Sequence, residues 1–170
     1  RTPMDNSKIS VLIELLKQAR TQTLKAVEGV PETHRFKQLQ AEKATPLWLL
    51  GHLSRTVDRI IIGWTLEEPS ILGDDLTHRF APSQVNGMPP TTNPEDYPTW
   101  DELTTLYNQV MDQAISGLAK LTDTDLDKPL PGDLPPSYRE RFSTIGSALQ
   151  LLINHDAYHR GQMGLLGKLA

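Results

Sequence analysis

Residues 143–169, STIGSALQLLINHDAYHRGQMGLLGKL, read as one long helix from near Ser143 almost to the end of the chain. At ~100° per residue, the arc centred on His155 and His159 also holds Ile145, Ala148, Leu151, Leu152, Gln162, Leu166 and Leu169. The two histidines are spaced i, i+4, so their rings leave the same side of the helix, one above the other. They therefore lie in the middle of the face that must be buried. A long helix with an apolar stripe buries it only against other elements, so the rest of the chain must supply partners.

Three further helical segments do so. Ile9, Leu12, Ile13, Leu16 and Ala19 mark the first, from about Ser7 to Glu28, with Gly29 and Pro31 as its stop. A second opens at Thr45-Pro46, a capping residue before proline at the first helical position, and runs to about Glu68 ahead of Pro69. The third starts at Thr99, which forms a capping box with Glu102 and leads the stripe Leu103, Leu106, Tyr107, Val110, Ala114, Leu118, Leu121. No alternating β-branched run bounded by turn residues occurs. The expected fold is all-α, a four-helix bundle forming a single domain over residues 1–170. The proline-dense stretch 69–98 excludes a long helix and predicts a crossover over the surface, and a second such stretch spans Pro129 to Pro136. Connections of that length allow the second and third helices to run parallel.

Composition narrows the function. The 170 residues are 38% hydrophobic and 22% charged, a balance for one core, with no run near the ~20 apolar residues that span a bilayer. A net charge of −4, with no basic block, argues against a nucleic-acid partner. The N-terminus has no basic-then-apolar leader, so the expected location is cytoplasmic; residues 1–3, ahead of Met4, are set aside. There is no cysteine, which excludes disulfides, thiolate catalysis and sulfur-ligated zinc, leaving any metal to His, Asp or Glu.

Two imidazoles facing a core are costly to desolvate unless their nitrogens have partners, and a shared divalent cation satisfies both at once. Core histidines hydrogen-bonded to other helices are the competing reading. His52, at the edge of the apolar side of the second helix, is the best third ligand, whereas His34 and His78 fall in polar connections where solvation suffices. Three imidazoles leave a coordination position open for water or substrate. Imidazole suits zinc, nickel, iron and copper, and zinc or nickel is the expected ion. Ligation requires neutral imidazole, so metal affinity is expected to fall as pH drops through roughly 6.5.

WLLGHL (Trp48 to Leu53) together with HDAYHRGQ (His155 to Gln162) resembles the DinB/YfiT-like superfamily of metalloenzymes. The resemblance implies an up-down-down-up four-helix bundle, a divalent metal on His52, His155 and His159, and frequent homodimers. It also implies chemistry with a low-molecular-weight thiol such as bacillithiol or mycothiol, which here must be an external cosubstrate. A tri-histidine ion lowers the pKa of a bound thiol or water, which suits a thiol-dependent transferase or a hydrolase acting on a small molecule. A non-catalytic bundle that binds metal for stability, storage or sensing is the alternative.

HDAYH invites comparison with H-E-x-x-H peptidases, but Asp156 is one methylene shorter than Glu and lies ~100° off the metal face. It suits a salt bridge better. Ferritin-like chemistry needs E-x-x-H motifs that are missing here. For the cavity wall the candidates are Trp48 and Tyr158, with Arg59 and Arg55 placed to meet a substrate carboxylate if solvent does not claim them. Gln162, on the arc of the two histidines, is a candidate substrate-site residue that orients a ligand or binds water, a polar contact to a neighbouring helix being the competing reading. Gly161, Gly164 and Gly167, spaced by three, suggest a line of close helix contact, including one across a dimer.

Overall fold

The computed structural model describes residues 6–169, so the residues ahead of Met4 that were set aside lie outside the described residues. The four expected helices form: α1 (Ser7–Glu28), α2 (Pro46–Val57), α4 (Trp100–Leu118) and α6 (Ile145–Leu166). Two short helices, α3 (Gly73–Arg79) and α5 (Pro136–Arg141), interrupt the proline-rich connections. No strand occurs among the described residues.

The starts obey the capping signals. Thr45 accepts a hydrogen bond from the Trp48 amide ahead of Pro46. Thr99 and Glu102 close a reciprocal box at α4, and Thr144 with Ser147 does the same at α6.

Contacts along the bundle set the direction of each helix. The Lys8 and Ile9 amides at the start of α1 donate to Asp123, just past the end of α4, so α1 and α4 are antiparallel. The Ile145 amide bonds Lys128, beside that same end, and His34 after α1 reaches the Leu169 carbonyl, so α1 and α6 run parallel. Trp64 packs on Phe142 while His52 meets His155, which makes α2 antiparallel to α6. Arg35 stacks over Trp100 at one end and Gln113 bonds Glu68 at the other, leaving α2 parallel to α4. The order is up-down-down-up.

Two expectations change. The second helix is not α-helical to Glu68: from Asp58 to Thr65 it widens into a π-helix, with the Leu66 amide bonding the Ile61 carbonyl and the Thr65 hydroxyl bonding Ile60. The crossover also does more than wander over the surface. Phe80 and Ala81 are buried, and the Asp58 carboxylate accepts from the Ser70 hydroxyl and the Ile71 amide, anchoring its start. As a result α2 is buried nearly all round, with only Thr56 partly exposed among residues 46–57. Gly51 makes this possible, because a Cβ there would lie 2.2 Å from the Phe80 ring.

Candidate metal centre

His52 is not at a border. The crossover covers it, leaving it 4% exposed. Its Nδ1–H donates to the Phe80 carbonyl at 2.9 Å, and its ring stacks on Trp48 with centroids 4.7 Å apart. On α6, His159 Nδ1–H donates to Gln162 Oε1 at 2.6 Å. Occupying both Nδ1 positions as donors leaves each Nε2 with a bare lone pair. Both lone pairs face the same atom: His155 Nε2 is 3.1 Å from His52 Nε2 and 3.0 Å from His159 Nε2.

One proton on His155 Nε2 can satisfy only one of these neighbours. Hydrogen bonding among the three rings is therefore incomplete, whereas a cation serves all three. Two nitrogens bound ~2.0–2.1 Å from one ion lie about 3.3 Å apart at a tetrahedral angle, close to the spacings found. The donor set fits a metal ion, and among the described residues it is the one group of three or more such side chains so arranged.

Burial lowers the basicity of every member. Desolvation, with lesser repulsion from His155 and His159, pulls His52 down to about 3. His155 falls to about 4, first through burial and then through His159, Arg141 and Arg55. His159 is lowered by burial, against the pull of Gln162. In the folded protein His52 and His155 thus stay neutral well below the 6.5 expected of free imidazole, His159 shifts in the same direction, and proton competition with a metal moves to lower pH.

The remaining histidines lie elsewhere. His34 ties Thr33 to the Leu169 carbonyl, and His78 is exposed on α3. Asp156 points away from the cluster, as its position on the helix requires. It accepts from the buried Thr23 hydroxyl and from Arg160, yet burial still pushes it up to about 6.

A cavity of about 420 Å³ adjoins the three histidines. Trp48 and Arg59, both expected there, line it, and so does Arg55. Tyr158 does not: it is 64% exposed and only its edge meets His159. Gln162 is not on the described lining, and it makes the ligand-orienting contact expected of it, accepting from His159. Sequence reasoning missed Tyr138, Arg141 and Phe142, which α5 and the turn after it bring to the wall. The signal was there in YRERF, with aromatics spaced i, i+4 between prolines and a capping threonine. Near Gly161 and Gly164 nothing outside the local helix backbone comes within 4 Å of an added Cβ, so among the described residues no other helix packs closely there, while Gly167 meets Val30.

The π turn aligns the second helix with the cavity. Arg55, Arg59 and Trp64 step by four and then five residues, and the widened turn keeps Trp64 on the same side. Gly132 locks that end, its amide bonding the Trp64 carbonyl at 2.9 Å.

Fold and site together define a four-helix bundle whose second and last helices gather three imidazole nitrogens able to hold one ion beside an open cavity. The chain belongs to the DinB superfamily, whose family model matches residues 15–163. No curated protein matches it. Among the described residues no helix is long and apolar enough to cross a membrane.

Proposed function

We propose that this protein is a cytoplasmic metal-dependent enzyme that uses zinc or nickel on His52, His155 and His159 to activate an external thiol against a small electrophile. The observation that carries the reading is the junction of three convergent Nε2 atoms with a cavity of substrate size. Closed structural zinc sites take four protein ligands, whereas here the protein offers three and then space.

When bound, a divalent ion supplies a lowered pKa for a coordinated thiol or water. The chain's own groups do the rest. The Phe80 carbonyl and Gln162 fix the tautomers of two ligands, and Trp48 holds the His52 ring flat. Thiol transfer is favoured over hydrolysis because Glu42 is the one carboxylate on the described cavity lining and Asp156 faces away from it. A hydrolase would need a base in reach of the attacking water.

The test is metal content of wild type and of His52→Ala, His155→Ala and His159→Ala, followed by assay of the zinc- and nickel-loaded protein. Bacillithiol, mycothiol, glutathione and cysteine are each offered with 1-chloro-2,4-dinitrobenzene. Stoichiometric metal lost in all three variants, with metal-dependent conjugation of one thiol, supports the proposal. Absence of stoichiometric metal after loading overturns it. Light scattering tests the homodimer implied by the resemblance.

A further inference from the structure

Three arginines line the cavity, Arg55 and Arg59 from the second helix and Arg141 from the end of α5, and the exposed Lys43 adds a fourth cation at its rim. Among the described residues none of them forms an ion pair. Arg55, 8% exposed, spends its Nε–H on the Thr77 carbonyl at 2.8 Å. Arg59 lies over the Trp64 ring at 4.8 Å, and Arg141 sits near the Phe142 ring at 5.8 Å. Ring faces orient a guanidinium without neutralising it. Arg55 is buried, Arg59 half-buried and Arg141 exposed, and burial followed by repulsion from Arg59 lowers the Arg55 guanidinium to about 10, so the inner part of the wall carries unneutralised positive charge. Glu42, the acidic group on the same lining, is an exposed residue beside Lys43.

A second, independent observation comes from Trp48. Trp48 lines the cavity, and its buried indole Nε1–H has no acceptor among the described residues. A buried donor without a partner is uncommon in folded proteins, and the residue that carries it lies on the cavity lining, stacked on His52. Part of the wall is aromatic, with Trp64, Tyr138 and Phe142 packed together, and Ile60, Leu151 and Leu152 extend this apolar surface.

We infer that the cavity binds an anionic small molecule, a carboxylate or phosphate on a flat apolar body, with its charge held by Arg55, Arg59 and Arg141. This rests on the reading of the cavity as the place where substrate meets the ion. Guanidinium groups bind carboxylate and phosphate through paired N–H donors, and the aromatic walls accept the apolar body. The arginines thus select substrate by charge and hold its anionic end, while the histidines serve the reacting end.

The probes are 2-naphthoate and 2-naphthyl phosphate, each set against neutral 2-naphthamide and followed through tryptophan fluorescence. Titrations use metal-free and zinc-loaded protein. Arg59→Gln and Arg141→Gln are the variants, because both side chains are less buried than Arg55, and circular dichroism with zinc content checks that they fold. At least one anion should bind about 10-fold or more tighter than the amide in the metal-free protein, and each variant should lose about 10-fold or more of that affinity. The tighter anion assigns the head group. Equal binding of anion and amide overturns the inference, as does anion binding that needs zinc and ignores both arginine substitutions. Arginine-dependent anion binding in a protein that takes up no metal would sink the proposed function and leave this inference standing.

Discussion

Gly51→Ala is the most searching single substitution in this molecule. A methyl group on Gly51 would lie 2.2 Å from one Phe80 ring carbon and 2.4 Å from two others, so the ring must retreat by more than an ångström to reach ordinary contact. It has little room, being fully buried and stacked 5.7 Å from Tyr97. Overpacking of this kind costs about 1–3 kcal/mol, against a helix-propensity gain of about 0.5–1 kcal/mol for replacing glycine. The expected net loss is about 1–2 kcal/mol, a fall in Tm of roughly 2–8 °C for a chain this size. Moving Phe80 also displaces the carbonyl that holds His52 Nδ1, and loss of such a partner typically weakens metal binding about 10–100-fold. Thermal melts of metal-free protein and zinc competition against a chromophoric chelator measure the two effects. Gly161→Ala is the control: no atom lies near its added Cβ, so it should gain about 0.5–1 kcal/mol and bind zinc as wild type does. If Gly51→Ala melts no lower than wild type and keeps its zinc affinity, the argument that the crossover clamps the metal ligand through this contact is wrong.

Three further outcomes follow from the geometry. Gln162→Leu removes the acceptor of His159 Nδ1–H and should weaken zinc binding about 10–100-fold, and unchanged affinity in the chelator assay would show that Gln162 does not orient the ring. Asp156→Ala leaves the buried Thr23 hydroxyl without its acceptor and strips the partly exposed Arg160 of its partner; urea unfolding should show a loss of about 1–3 kcal/mol, and unchanged or higher stability would contradict the reading. In the metal-free protein the lowered pKa values of His52, His155 and His159 mean that the unfolded chain binds more protons below 6.5, so stability falls as pH drops from there towards 4. Asp156, pushed up to about 6, acts with the opposite sign, because the native state holds its proton between 3.8 and about 6. With three groups against one, Tm should fall between pH 7 and 4.5, and a flat or rising Tm would refute the assignment of three buried neutral imidazoles.

Periodicity and capping chemistry made the bundle legible in the chain. Thr45-Pro46, Thr99 with Glu102, and the stripes behind them are local features, and a helix start depends on groups within one turn. His155 and His159 were legible for the same reason, since helical geometry alone places i and i+4 on one face. The absence of cysteine confined any metal to histidine and carboxylate ligands, and so drew attention to these two and to His52.

What the chain could not disclose locally is what the tertiary structure decided. His52 on its own helix looks like a border residue, and it is buried only because the crossover lays Phe80 across Gly51. Its orienting partner is a main-chain carbonyl, a group every residue carries and no sequence pattern marks. Arg141 lies more than eighty residues from Arg59 and joins it through the packing of α5 near the end of the second helix, where Trp64 meets Tyr138. The π turn that keeps Trp64 facing the cavity departs from the 3.6-residue repeat on which helical reading depends. Local spacing thus determined which residues share a helix face, and only long-range packing decided which faces meet and what charge they enclose.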